Sequence, residues 1–384
     1  MNAAPLVPDA PVRTLDQDER FMRLALALGD RHLGLTWPNP SVGAVVVGER
    51  GGEPTILGQG VTQPGGRPHA ERLALDQAGE GARGATLYVT LEPCAARSAN
   101  GDGPSCTDLA IASGIKRLVI GAPDPSPFAQ GAGFPRLEAA GIEVVTDVLA
   151  QEAARAHRGH VLRVKVGRPT VMLKFARTAD GYAARRAGPR LFISGEVSNN
   201  RTHLFRAHHD VIMVGIGTVL ADDPLLTVRL PGLEHRSPVR VVIDSGLRTP
   251  LTSKLVQSAV EVPFWIVTAE NAPVDAERAL AAAGVEVMRV EAPEGRVDLN
   301  AALRLLGIRG VTRVFSEGGP ALGEALIEAD LVDTFALATS RTALGEPGVP
   351  ALGPRLERAL VEIFHHVGSE DLGADQLDIF ERAR

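Results

Sequence analysis

Residues 19–30, ERFMRLALALGD, carry apolar side chains at helical spacing, and the apolar run SVGAVVVG at 41–48 predicts a strand. The alternation continues. Helices are predicted over 69–79 (HAERLALDQAG), 106–114 (CTDLAIASG), 134–141 (FPRLEAAG) and 151–164 (QEAARAHRGHVLRV), with strands at 85–92 (ATLYVTLE), 116–124 (KRLVIGAPD) and 142–149 (IEVVTDVL). This is an α/β pattern. Glycine and proline in VGRPT, 166–170, interrupt it, and a second alternation then begins. Its strands are predicted at 170–176 (TVMLKFA), 210–220 (DVIMVGIGTVL), 239–246 (VRVVIDSG), 262–270 (VPFWIVTAE), 285–290 (VEVMRV) and 311–319 (VTRVFSEGG). Helical stretches such as 195–208 and 300–307 lie between them.

A chain of 384 residues exceeds what one hydrophobic core usually supports, at roughly 100–200 residues per domain, so two domains are expected. We place them at 18–166 and 167–384, divided near Gly167. A composition of 45% hydrophobic and 22% charged residues is that of a soluble globular protein, which confines expected disorder to the ends. The net charge of −6 and the absence of a lysine- or arginine-rich run argue against nucleic acid as a partner. No stretch of about 18 apolar residues occurs, so no membrane association is expected. The N-terminus, MNAAPLVPDAPVRTLDQDER, lacks a basic region followed by an apolar core and reads as a short flexible tail on a cytoplasmic protein. Two cysteines, Cys94 and Cys106, cannot make a disulfide framework in so long a chain.

Those cysteines gain meaning from RPHAERLAL upstream. Residues two apart on a regular helix point roughly 200° apart, so His69 and Glu71 can serve one site only if His69 sits in the irregular first turn after Pro68. Cys94 follows Pro93 at a predicted strand end, and Cys106 opens the next helix, where the positive end of the helix dipole favours thiolate. One imidazole and two thiolates suit zinc, and three protein ligands leave a fourth position for water. The metal would lower the pKa of that water, and Glu71 would shuttle its proton to a leaving amine. His-x-Glu followed by Pro-Cys and a second Cys is the signature of zinc-dependent nucleobase deaminases. The alternatives are a structural zinc, two inert core thiols, or a chance triplet. Structural zinc wants a fourth strong ligand, and none stands nearby.

With TWPNPSVGAVVVG, GRPHAERLALDQAGEGARGATLYVTLEPC and APDPSPFAQGAGFPRLEAAGIEV in one chain, the first half resembles the deaminase domain of the bifunctional riboflavin-biosynthesis deaminase/reductase family. GRPTVMLKFARTADGYAA, ISGEVSNNRTHLFRAHHDVIMVGIGTVLADDPLLTVR, VRVVIDSGLRTP and FSEGGPALGEALIEADLVD resemble its reductase domain. The resemblance runs from about Asp18 to about Gly345 in the family's own order. It implies a cytidine-deaminase-like zinc domain followed by a dihydrofolate-reductase-like domain. It also implies an enzyme of two activities. The first is hydrolytic deamination of 2,5-diamino-6-ribosylamino-4(3H)-pyrimidinone 5′-phosphate, and the second is NADPH-dependent reduction of the ribosyl chain to ribityl.

Carried over residue by residue, the resemblance puts Asn39 at the deaminase substrate, while Thr218, Asp222 and Ser245 match contacts to NADPH. Arg206, Leu226 and Arg229 match positions near the reductase substrate. Glu317 stands at a strand end as a further substrate candidate. Gly318 and Gly319 let the backbone approach a ligand, and the helix that follows offers free N–H groups to the cofactor pyrophosphate. Lys174 also aligns with a family lysine, but it is not counted among the site residues. His208 and His209 read as exposed helix-end residues, and no reductase acid is evident.

The chain departs from the family in places. Eleven residues, AARSANGDGPS, separate the two cysteines where the family usually has eight, and the family's histidine there is absent. Zinc binding tolerates this because loop length is cheap to change. Arg97, the one basic residue of that loop, is expected to take over part of the phosphate contact. Arg190 and Phe192 stand where the family often has Ser and Trp. Two other classes of function compete: an RNA base deaminase, which would want a basic surface, and a non-enzymatic zinc-stabilised nucleotide-binding protein, which has no need of Glu71. The expected partners are a small pyrimidine ribose-phosphate and further copies of the chain in a homo-oligomer.

Overall fold

The computed structural model describes residues 16–96, 103–187 and 191–383. The expected N-terminal tail up to residue 15, Arg97 and Arg190 lie outside the described residues. The chain forms two compact units. The first runs to Arg31 and includes Val42–Thr62 and Pro68–His157; the second comprises His32–Ser41, Gln63–Arg67 and the chain from Arg158.

The first unit contains α1 (Gln17–Asp30), β1 (Gly43–Arg50), β2 (Glu53–Val61), α2 (Ala70–Ala78), β3 (Thr86–Leu91), α3 (Cys106–Ser113), β4 (Arg117–Ala122), α4 (Phe134–Ala139), β5 (Glu143–Val145) and α5 (Ala150–Ala156). Its sheet has the order β2-β1-β3-β4-β5; β1 is antiparallel to β2 and β3, while β3, β4 and β5 run parallel. Both faces are covered, which is why β1 reads as a continuous apolar run rather than an alternating one. Val45, Val47, Tyr88 and Val119 pack with Phe21, Met22, Ala25 and Leu28 of α1. Ala44, Val46, Leu87, Val89, Leu118 and Ile120 face Ala70, Ala74 and Ala110 of α2 and α3.

The second unit contains α6 (Arg158–Val166), β6 (Thr170–Arg177), β7 (Tyr182–Ala184), α7 (Glu196–Ala207), β8 (Val211–Gly215), α8 (Ile216–Asp222), β9 (Val239–Ile243), α9 (Lys254–Gln257), β10 (Phe264–Ala269), α10 (Val274–Ala282), β11 (Glu286–Val290), α11 (Leu299–Ile308), β12 (Arg313–Ser316), α12 (Pro320–Glu328), β13 (Thr334–Ser340), β14 (Val349–Pro350), α13 (Pro354–Glu362), β15 (Phe364–Asp371) and β16 (Asp375–Arg382). Nine strands make one sheet, ordered β11-β10-β9-β8-β12-β6-β13-β16-β15. Its first seven strands run parallel and an antiparallel hairpin closes it. Alternate residues of each strand enter different cores: Val171, Leu173 and Phe175 join one cluster, while Met172 and Ala176 pack against the other. Among the described residues no helix is long and apolar enough to cross a membrane.

Three expected elements differ. The helix read over 151–164 breaks at His157, whose buried ring places Nε2 3.0 Å from Thr90 Oγ1. The strand read over 210–220 ends at Gly215, and a helix takes over at Ile216. The strand read over 142–149 is only Glu143–Val145. Strand β2 has no clear strand pattern in EPTILGQGV because its glycines answer to a helix. An added Cβ on Gly58 would sit 2.0 Å from the Ala74 carbonyl oxygen, and one on Gly60 would sit 2.1 Å from that of Ala70. Helix α2 therefore lies directly on the β2 backbone.

This contact seats the first turn of α2, which carries Glu71. Gly60→Ala should push that turn off the sheet and lower stability by about 1–3 kcal/mol, the usual penalty of overpacking. Gly368→Ala, where an added Cβ meets nothing within 4 Å, is the control. Thermal melts of the two variants check this, and an unchanged midpoint for Gly60→Ala would refute the close-contact account.

Candidate active sites

Strand β3 ends at Leu91, and Glu92-Pro93 leads to Cys94. Buried Glu92 fixes this turn by accepting from the backbone N–H groups of Asp124 (3.3 Å) and Gly131 (2.6 Å). Cys106 is the first residue of α3, behind an N-cap at Ser105 that forms a reciprocal capping box with Asp108. His69 is the N-cap of α2, with extended backbone (φ −69, ψ 157), so it stands outside the helix and shares a site with Glu71 two residues on.

The His69 Nδ1 lies 3.3 Å from Cys106 Sγ and 3.9 Å from Cys94 Sγ, and the three donor atoms lie within 4.8 Å of one another. A tetrahedral zinc with bonds of about 2.3 Å to sulfur and about 2.0 Å to nitrogen puts its ligand atoms about 3.5–3.8 Å apart, so the donor set fits the ion. The Cys94 sulfur accepts a hydrogen bond from the Cys106 backbone N–H at 3.4 Å. Hydrogen bonding from the Cys106 thiol, and then from His69, holds the Cys94 thiol well below its usual range, while the same thiol–thiol bond pushes Cys106 up. Glu71 is 4% exposed, and burial pushes its carboxyl pKa up. A carboxyl that readily holds a proton, set beside the donor set, can both take and return one.

In the second unit the sequence candidates collect at the ends of neighbouring strands. Thr218 follows β8, Ser245 follows β9, and Glu317, Gly318 and Gly319 follow β12; these three strands are adjacent. A Cβ on Gly319 would lie 3.5 Å from Thr218 Oγ1, which brings Thr218 beside the start of α12. That start carries no side-chain cap, so its N–H groups suit a cofactor phosphate. Asp222 lies one turn beyond Thr218 on α8, at i+4 and hence on the same helix face. The Ser245 Oγ accepts from the Val297 N–H at 3.0 Å.

Arg206 and Glu317 form a two-pronged ion pair: Nε donates to Oε1 at 2.6 Å and Nη2 to Oε2 at 2.8 Å, with side chains only 11% and 17% exposed. Burial would raise the Glu317 pKa, but the Arg206 charge and hydrogen bonds bring it below the ordinary value. Arg206 Nη1 also donates to the Thr227 carbonyl at 2.9 Å, in the loop that carries Leu226 and Arg229. Leu226 is buried at φ 56, a left-handed backbone rare for a branched side chain, so the loop is held in a specific shape.

Two residues outside the sequence candidates join this cluster. His203 Nδ1 accepts from the Arg229 N–H at 3.3 Å and lies 3.4 Å from Arg206 Nη1, between two arginines. Burial, then the charges of Arg206 and Arg229, depress its pKa to about 4. Lys174 lies on β6, whose register pairs Leu173 with Ser316, so it is carried to the level of Glu317. Burial draws the Lys174 ammonium pKa down, and Glu317 opposes the shift. His203, one polar residue in a helix, carries no sequence signal, and Lys174, a lone strand lysine, carries only its alignment with a family lysine. His208 and His209 are corrected. His208 is half-buried; His209 is buried, with Nδ1 2.6 Å from the Phe205 carbonyl oxygen and its ring against Phe315, because the chain turns inward into β8. Phe192 is 82% exposed. Asn39 belongs to a segment grouped with the second unit, where its Nδ2 donates to the Gly66 carbonyl at 2.9 Å.

Fold and donor set together define a zinc-dependent deaminase joined to a reductase with a dihydrofolate-reductase-like fold. Residues 15–122 match the cytidine and deoxycytidylate deaminase zinc-binding region, and residues 169–369 match the RibD C-terminal domain. The chain is 37% identical over 367 residues to the riboflavin biosynthesis protein RibD of Aquifex aeolicus, covering 95% of this chain and 98% of that one. It is 36% identical over 373 residues to RibD of Escherichia coli, covering 92% and 98%. The crystal structure of the deaminase/reductase from Thermotoga maritima superposes with a TM-score of 0.80 at 32% identity, covering 95% of this chain and 99% of that one. The chain belongs to the RibD family, the bifunctional deaminase–reductases of riboflavin biosynthesis.

The depressed His203 pKa has a direct spectroscopic consequence. The His203 ring, assigned by comparison with His203→Gln, should titrate near pH 4 in NMR spectra and remain a neutral acceptor at physiological pH. A midpoint near 6.5 would mean that the ring is neither buried nor set between the two arginines.

Proposed function

We propose that this chain deaminates 2,5-diamino-6-ribosylamino-4(3H)-pyrimidinone 5′-phosphate in its first unit and reduces the ribosyl chain of the product to ribityl in its second. The observation that carries the reading is the gathering of His69, Cys94 and Cys106 beside buried Glu71. His69, Cys94 and Cys106 would hold a zinc ion, which when bound would supply an activated water as nucleophile. Glu71 would take a proton released there and return it to the exocyclic amine, which would leave as ammonia. Asn39 is assigned to the substrate of this step, and the functional division between the two activities falls between His157 and Gly167.

Thr218, Asp222, Ser245, Gly318 and Gly319 would hold NADPH, which when bound would supply the hydride of the second step. Arg206 and Arg229 bind and orient the sugar phosphate, as planar forks that pair with phosphate oxygens. Glu317 fixes the orientation of Arg206. Leu226 shapes the wall beside the sugar. Lys174, half-buried and level with Glu317 on the adjacent strand, is the proton source for the opened ring, since an ammonium with a lowered pKa gives up its proton readily.

Purified protein incubated with the pyrimidine substrate should release ammonia without NADPH and oxidise NADPH only once the deaminated product has formed. Glu71→Gln should retain one zinc per chain and lose ammonia release by at least about 100-fold, the lower range for a general acid–base residue. Full deaminase activity in this variant would remove Glu71 from the mechanism. Gly319→Val, whose side chain would fill the space beside Thr218, should weaken NADPH binding while ammonia release stays at the wild-type rate. Unchanged NADPH affinity would overturn the cofactor assignment.

A further inference from the structure

Eleven residues separate Cys94 from Cys106, so chain continuity alone holds the two thiols together weakly. Their flanks are joined by the Cys94 carbonyl, which accepts from the Thr107 N–H at 3.1 Å, and by Arg136 of α4. Its Nη1 donates to the Ala95 carbonyl at 2.8 Å, directly after Cys94, and its Nη2 donates to Asp108 Oδ1. Asp108 is the third residue of the helix that Cys106 opens, and its second oxygen accepts from the N–H (3.1 Å) and hydroxyl (2.7 Å) of Ser105, the residue before Cys106. The Cys94 side is fastened again nearby: the Phe128 carbonyl accepts from the N–H groups of Ala95 (2.7 Å) and Ala96 (3.1 Å). One guanidinium therefore bridges the residue after one cysteine to the helix turn that presents the other.

We propose that Arg136 is a positioning residue that clamps the two cysteine-bearing segments together and so sets how long zinc is retained, an inference that rests on the assignment of zinc to His69, Cys94 and Cys106. A planar fork is required, because two acceptors in different segments must be reached at once; a lysine ammonium on one flexible stem does not reproduce that geometry. The Arg136 and Asp108 side chains are 43% and 37% exposed, so their pairing adds little to global stability. Zinc retention and thermal stability are thus separable.

The test is the rate of zinc release from the zinc-loaded full chain to a chromogenic chelator, read alongside the thermal midpoint. Arg136→Met should release zinc roughly tenfold faster, at the low end for loss of a residue that orients metal ligands, with little change in midpoint. Arg136→Lys should not rescue it. Arg117→Met, which breaks a two-pronged pair with Asp18 (2.7 and 2.8 Å) in the same unit, should lower the midpoint yet release zinc at the wild-type rate. Wild-type release from Arg136→Met overturns the proposal, as does equally fast release from Arg117→Met, which would reduce the effect to general stability. Cys94→Ser separates the two levels. If it loses zinc while Arg136→Met behaves as wild type, only the clamp is wrong; if it keeps zinc, the metal assignment and the clamp fall together.

Discussion

Two helix starts converge on the end of one central strand, and the first unit is organised around that meeting. Helix α2 begins after His69, α3 begins at Cys106, and Cys94 lies three residues past β3. Each helix start presents the positive end of a dipole, which favours thiolate over thiol, and at α3 the first N–H groups bond the Cys94 sulfur, the Cys94 carbonyl and the Ser105 hydroxyl. The arrangement depends on α2 lying directly on the backbone of β2, which only Gly58 and Gly60 permit. Glu92, the Ser105–Asp108 capping box and Arg136 then fix the three connections to the site.

The second unit solves a different problem. A cation taken from water is costly unless it is paired. The Arg206–Glu317 pair meets this by holding the guanidinium in a fixed plane while a third donor, Nη1, grips the loop of Leu226 and Arg229. His203, kept neutral by burial and then by the arginines on either side, adds an acceptor without adding a charge. The parallel order β9-β8-β12-β6 is what brings Ser245, Thr218, Glu317 and Lys174 to neighbouring strands from positions far apart in the chain.

Much of this was legible in the sequence because its chemistry is local. His69, Glu71, Cys94 and Cys106 lie at helix starts and a strand end that the hydrophobic pattern marks, and zinc ligation restricts which residue types suffice. What escaped was set by tertiary contact. The glycines of β2 weaken its strand pattern because a helix presses on them. His209 looks like a polar helix end but is drawn into the core against Phe315. The 151–164 segment is periodic enough to be one helix, yet a buried contact of His157 with Thr90 breaks it. His203 stands one helical turn before Arg206 on α7, but only the fold adds Arg229 on its other side, and Lys174, which the resemblance alone singles out, is set level with Glu317 by sheet order.

The central claim is that one imidazole and two thiolates hold a zinc ion with one position left for water. X-ray absorption at the zinc edge of the purified protein tests it most directly. The account predicts two sulfur neighbours at about 2.3 Å and two nitrogen or oxygen neighbours at about 2.0–2.1 Å. A shell with no sulfur, or one filled by four protein ligands, would contradict it.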